Sequence, residues 1–226
     1  MNYFLQRGSG WLSVVAVFLG LNCPWPAAAI SGDEVIKKMR KSFANYKTFS
    51  AKFEKQFYWA LLDKKKQSRK GIIYTRKPDQ FRVELEDGDL VVAGEQGIWT
   101  YNKQNQQVVV SASDGEFKTP WEILLDYTEA YILLAVEEVD LEGRSCYLLS
   151  LKPRASGAHI ARMRVWVDRK RWNLLKAEQA EVNDNITTYI LKDHRANKKL
   201  DEALFRFEVP EGVDVIDRRE PDPEDD

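Results

Sequence analysis

Gly71-Ile72-Ile73-Tyr74-Thr75-Arg76-Lys77-Pro78-Asp79-Gln80-Phe81-Arg82-Val83-Glu84-Leu85 decides how this chain of 226 residues folds. Two strand-favouring runs meet at Lys77-Pro78. Proline gives a ladder no N–H and biases the residue before it toward extended backbone, so it marks a strand end or a turn. Beyond it Phe81, Val83 and Leu85 alternate with Arg82, Glu84 and Glu86. A period of two puts the apolar residues on one face and the charged ones on the other.

Upstream, Phe49, Ala51, Phe53, Phe57 and Trp59 share a face that only Lys55 interrupts. The polar residues 63–70 read as the turn into Gly71, with Lys64-Lys65-Lys66 a solvated hairpin tip. Before this strand, Ser31-Gly32-Asp33-Glu34 matches a capping box, with Ser31 as N-cap and Glu34 reaching back. Ile36, Met39, Phe43 and Tyr46 then recur at helical spacing, which predicts an amphipathic helix to about Asn45.

Downstream, Asp87-Gly88-Asp89 is a turn. Leu90 to Ala93 and Ile98 to Tyr101 form a hairpin, and Gln107 to Ala112 is a further strand. Thr119-Pro120 opens a second helical segment, carrying Trp121, Ile123, Leu124, Leu125 and Tyr127 and then Tyr131 to Leu134. Strands are expected over 135–141, 146–151, 160–167, 174–181, 186–192 and 204–209, with turn signals between them. Short strands at this spacing argue a barrel or sandwich. Whether the helix-covered, aromatic-lined face is a filled core or a cavity stays open at this point.

Residues 1–29 read as a cleavable signal peptide, with Arg7, an apolar run from Trp11 to Leu21, and Ala27-Ala28-Ala29 before the cut. That run is shorter than the roughly 20 apolar residues a spanning helix needs. Asn22 stands before Cys23 where a lipid-anchoring motif wants a small residue. The exported chain then keeps Cys146 alone, so its core must hold it without a disulfide. Residues 30–217 are expected to form the domain and 218–226 an acidic, proline-broken, disordered tail.

The 34 basic and 35 acidic residues nearly cancel, which argues against a nucleic-acid footprint. His159 and His194 lie outside any metal-ligand spacing. No CxxC, G-x-S-x-G or phosphate loop occurs. No catalytic residue, metal or cofactor is expected.

Taken in order and spacing, several pieces resemble the periplasmic outer-membrane lipoprotein carrier (LolA) family from Ser31 to Asp217. They are the first helix followed by Phe49-Ser50-Ala51-Lys52-Phe53-Glu54-Lys55-Gln56, Gly71 leading to Lys77-Pro78 and Phe81-Arg82, and Gly94 to Tyr101. The Thr119-Pro120 helix start and Phe205-Arg206-Phe207-Glu208-Val209-Pro210-Glu211-Gly212-Val213-Asp214-Val215 complete the set. The resemblance implies a mainly β fold, an unclosed antiparallel β-barrel with a lid of short α-helices over a hydrophobic cavity. It implies a monomeric periplasmic carrier of acylated lipoproteins, loaded by an inner-membrane lipoprotein-releasing ABC transporter and unloaded by an outer-membrane receptor lipoprotein.

By the resemblance Phe81, Val83 and Leu85 line the acyl-chain cavity, and strand parity adds Phe49, Phe53, Trp99 and Tyr101. Ile36, Met39, Phe43, Trp121, Leu124 and Leu125 face it from the lid. The family's carriers hold the lid with an arginine just before the proline. Here Lys77 stands there with Arg76 beside it, and a lysine offers one ammonium in place of a planar fork; either Lys77 latches, or Arg76 substitutes, or the lid is governed differently. A same-fold carrier of another lipid, a lipoprotein sensor and a periplasmic enzyme are the competing readings.

Overall fold

The computed structural model describes residues 30–95, 97–112 and 130–219. One helix, α1 (Gly32–Ala44), precedes twelve strands: β1 (Thr48–Trp59), β2 (Lys64–Arg76), β3 (Gln80–Leu85), β4 (Leu90–Gly94), β5 (Gly97–Asn102), β6 (Gln107–Ser111), β7 (Tyr131–Leu141), β8 (Arg144–Pro153), β9 (Ile160–Asp168), β10 (Leu174–Glu181), β11 (Ile186–Ala196) and β12 (Asp214–Arg218). They form a single sheet in the order β12-β6-β5-β4-β3-β2-β1-β11-β10-β9-β8-β7. Every neighbour pair is antiparallel except β12 with β6. The sheet is open, with β12 and β7 as its edges. This is the unclosed, mainly antiparallel architecture expected, roofed among the described residues by one helix.

Helix α1 starts where the sequence says it should. Ser31 is extended (ψ 149°) and its side chain accepts from the Glu34 N–H at 3.2 Å, which satisfies an otherwise orphaned first-turn donor. The Glu34 carboxylate meets Lys38 one turn on, at 2.9 Å. Val35 and Met39, four residues apart, are buried on one face of the helix.

That face seats on the sheet and defines its inner side. Val35 and Met39 join Phe49, Ala51 and Ile73 from β1 and β2 with Tyr147, Leu149, Met163, Val165 and Leu191 from the second half of the chain. A separate inner cluster of Phe81, Ala93 and Ile98 lies on β3–β5. Val83 packs against both clusters and so joins them. The opposite face has its own coverings: Cys146, Trp166 and Leu175 pack together there, and residues 201–210 strap across β3, β4 and β5. Cys146 is buried and free.

Three sequence-based expectations fail. Residues 64–70 are the start of β2 rather than a turn: Tyr58↔Lys65 and Trp59↔Lys64 pair across the hairpin, and the aromatic partners carry the ladder past the charged run. Tyr131 to Leu134 begin β7 instead of extending a helix, because Tyr131, Ile132 and Leu133 pair with Pro153, Lys152 and Leu151. A bulge after Leu133 leaves Leu134 exposed. The expected strand at 204–209 is a 3-10 turn over Glu202–Phe205 followed by extended chain without a ladder. β12 runs through Arg218. Trp121, Leu124, Leu125 and the Thr119-Pro120 helix start lie outside the described residues, as do residues 1–29 and 220–226.

Candidate functional site

The site is the apolar inner face together with the polar contacts that fasten α1 over it. Cross-strand registers fix which side chains share that face. Phe49, Thr75, Phe81, Ala93 and Ile98 stand in one row across β1 to β5. Ala51, Ile73, Val83 and Val91 make the next row, and Leu191, Phe53, Gly71 and Leu85 the third. Gly71 is required in that third row. A Cβ there would stand 2.1 Å from the Glu84 carbonyl oxygen and 2.9 Å from the Phe53 ring, so the missing side chain is what lets Phe53 fold across the strand.

Phe49, Phe53, Phe81, Val83 and Leu85 therefore share the inner face. Trp99 and Tyr101 do not. Trp99 pairs with Val92, which pairs with Arg82, and Tyr101 pairs with Leu90, so both point to the outer side. There Phe207 of the strap stacks on Trp99 at 5.4 Å and leans on Tyr101 at 6.2 Å. Parity misassigned them because β4–β6 are apolar on both faces: Val92, Val108 and Val110 are buried outward while Ala93 and Ile98 are buried inward.

Met39 is buried in the core beneath α1, with Ile36 and Phe43 packed at its margin. Val35, which the sequence reading passed over, is more deeply buried than Ile36; its i, i+4 spacing to Met39 was the available signal. The last turn of α1 is tied down on two flanks. On one, Lys77 Nζ donates to the Ala44 carbonyl at 2.7 Å and the Phe43 carbonyl at 3.4 Å, with the ammonium 5.6 Å from the Phe43 ring centre. A cation at the negative end of a helix is favourably placed, and the Phe43 carbonyl also accepts from the Tyr46 N–H at 3.1 Å. The Lys77-Pro78 peptide bond is cis.

Arg76 turns away. Its Nε donates to Gln80 at 2.6 Å, and its guanidinium lies 4.8 Å from the Phe205 ring centre and 3.6 Å from Glu202. It serves the outer strap, while Lys77 serves the helix.

The second flank went unread in the sequence. Ser42 donates to the Arg171 carbonyl at 3.2 Å and bonds the Tyr46 hydroxyl at 2.8 Å, and Tyr46 donates to Asn173 Oδ1 at 2.6 Å. Lys38 lies 4.7 Å from the centre of the Trp172 ring, which stacks on Tyr147. The signal available was Tyr46, an aromatic ending the helical stripe with a hydroxyl to satisfy. Beneath it Phe43, Tyr46 and Phe49 pack together, Tyr46 and Phe49 stacked at 5.7 Å.

His194 closes this cluster, 5.7 Å from Phe49. A bulge in β11 opposite Ala51, with Asp193 left-handed at φ 55°, turns it inward. Its Nε2 is 3.0 Å from the Leu174 carbonyl. A carbonyl only accepts, so Nε2 carries the ring proton. Burial pushes the imidazole pKa below its ordinary value, more than the Leu174 contact raises it.

A groove of about 530 Å³ sits mainly on the outer face, lined by Lys52, Glu54, Lys70, Ile72, Glu84 and Lys192 among others. Phe53, Gly71 and Leu85 of the third row line it as well, so it borders the apolar inner face. Among the described residues no group of three or more His, Cys, Asp or Glu side chains could hold a metal ion.

Residues 44–208 match the family described as "Outer membrane lipoprotein carrier protein LolA". The outer-membrane lipoprotein carrier protein of Shewanella oneidensis is 26% identical over 205 residues, covering 84% of this chain and 90% of that one. That of Shewanella woodyi is 25% identical over 211 residues, covering 92% and 96%. Among solved structures, an uncharacterized conserved protein from Thermus thermophilus superposes with a TM-score of 0.56 at 16% identity, covering 84% of this chain and all of that one. At such identity the last likeness concerns the fold alone.

Proposed function

The chain belongs to the LolA family of outer-membrane lipoprotein carriers, non-catalytic periplasmic proteins, and from that membership we propose that it shields the acyl chains of lipoproteins between the two membranes. The observation that carries the reading is the apolar inner face closed by one helix whose last turn is held by polar contacts. Cargo displaces that helix. Val35 and Met39 each contribute roughly 1.5–3 kcal/mol by burial. A single acyl chain of ~16 carbons, at about 0.8 kcal/mol per methylene, is worth on the order of 10 kcal/mol. The chain wins the exchange, and the helix is ready to retake the face when a stronger acceptor removes the cargo.

In this reading Phe49, Phe53, Phe81, Val83 and Leu85 form the wall, Ile36, Met39 and Phe43 the roof, and Lys77 the catch. Trp121, Leu124 and Leu125 keep the lid role that the resemblance gives them. An inner-membrane ABC transporter loads the carrier and an outer-membrane receptor lipoprotein unloads it. Residues 1–29 direct export and are removed. Depleting the protein should strand outer-membrane lipoproteins in the inner membrane on fractionation, and unchanged sorting would remove the proposal.

A further inference from the structure

At the far end of β1 the chain turns through a single 3-10 turn, Ala60–Leu62, and leaves Leu61 84% and Leu62 48% exposed. This tip is held, not slack. The Tyr58 hydroxyl donates to Asp63 at 2.6 Å. Asp63, left-handed at φ 45°, returns its own N–H to the Ala60 carbonyl at 3.1 Å. The Ala60 N–H donates to Asn185 Oδ1 at 3.2 Å, tying the tip to the β10–β11 turn. That turn carries Val182, 65% exposed. Because β1 pairs with β11 as far as Tyr58↔Ile186, both turns project from one rim of the sheet.

Directly behind the leucines come Lys64, Lys65 and Lys66, then Arg69 and Lys70. At about 3.3 Å per strand residue the three lysines follow within about 10 Å of the tip. An apolar element docked on a bilayer buries about 5–10 Å into the headgroup–acyl boundary, so leucines at that depth leave the residues behind them level with the headgroups. The occupant is decided by size and charge. A stable protein interface takes about 800 Å² from each partner, whereas this tip offers on the order of a few hundred Å² of apolar surface. A bilayer needs no complementary shape, and a lysine run favours an anionic one. The run that reads as merely solvated in the sequence gains a role from the leucines beside it.

We propose that the rim carrying Leu61, Leu62 and Val182 is a membrane-docking edge that sets this protein on an anionic phospholipid surface. The proposal concerns the outer end of the hairpin and does not depend on what the inner face carries.

Co-flotation with phosphatidylethanolamine vesicles, with and without phosphatidylglycerol and in the absence of any lipoprotein, tests it. The exported chain from Ile30 and its variants run in parallel, so the apolar run at 11–21 cannot bind the vesicles in place of the tip. The wild-type protein should float with the anionic vesicles, and Leu61→Ser with Leu62→Ser should weaken this by at least about tenfold. Charge reversal of Lys64, Lys65 and Lys66 to Glu should remove the dependence on phosphatidylglycerol and on salt. Val182→Ser, on the other turn, should lose a smaller share, which keeps the test decisive should the double variant melt early. Lys52→Glu, in the body of β1 away from the tip, should float as wild type does. Flotation unchanged by loss of the leucines would overturn the proposal. So would indifference of the wild-type protein to both vesicles, or a concentration-dependent dimer abolished by the leucine variants, which would make a second copy the occupant.

Discussion

Lys77 and His194 bracket the base of α1, and each makes a measurable claim. Lys77→Met removes the donor to the Ala44 and Phe43 carbonyls. It should cost about 0.3–1 kcal/mol and speed amide hydrogen exchange in the last turn of α1. Lys77→Arg should leave exchange at or below the wild-type rate, since a guanidinium can serve both carbonyls. Equal exchange in all three proteins would reduce Lys77 to a surface charge. For His194 the folded pKa lies below the ordinary imidazole value, with burial the main cause and Arg144 and Arg171 acting in the same direction against Asp168. Between the folded and unfolded values the unfolded chain binds the extra proton. The stability from the neutral ring is therefore complete above about pH 6.5 and is lost as pH falls below it. Urea midpoints should drop between about pH 7.5 and 5.5 in the wild type and drop less in His194→Asn; parallel curves would count against the assignment. Lys77 was a catch candidate only through the resemblance, which places the family's latching arginine just before the proline. His194 was not legible, since only the β11 bulge, a pairing event invisible in a lone strand, turns it toward Phe49.

Among the elements, the strap over 201–210 tests whether the outer covering of β3–β5 matters. A Cβ on Gly94 would stand 2.5 Å from the Phe205 carbonyl oxygen, and a backbone atom cannot rotate aside. Gly94→Ala should lower stability by roughly 1–3 kcal/mol through overpacking, and Phe207→Ala should raise the exposure of Trp99 to a polar fluorescence quencher. If Gly94→Ala melts like wild type, the strap is loosely held. The strap also explains where the sequence misled. Alternation announced β3 and the turn signals announced β4 and β5, but a strand apolar on both faces carries no label for its inner side, and Trp99 and Tyr101 fell on the wrong one. Similarly, Tyr131 to Leu134 are consecutive apolar residues, a pattern that helix and buried strand share; their ladder to β8 decided it. The capped helix and the Gly71–Leu85 hairpin were legible because local chemistry, a Ser cap and a proline corner, agreed with the tertiary result.

For the whole molecule, the open sheet and its single described roof predict how cargo is felt. On adding a triacylated peptide, α1 amides should lose exchange protection while those of β8, β9 and β10, which pair on both sides, keep theirs. Retained protection in α1 at saturating cargo would mean that the acyl chains sit elsewhere. Only Asn45, Tyr46 and Lys47 separate α1 from β1, and the Lys77 and Tyr46 contacts gather at that same junction. The helix is thus hinged at its tail, like a flap sewn along one side, and its lip is the Ser31 end, where Ile30 leans on the core and buried Gly32 lies against Leu133. Whatever is attached ahead of Ile30 rides on the swinging lip, whereas a label after Arg219 hangs from the β12 edge. A fluorophore pair placed at those two ends would watch the flap open, and a bulky amino-terminal fusion would prop it ajar.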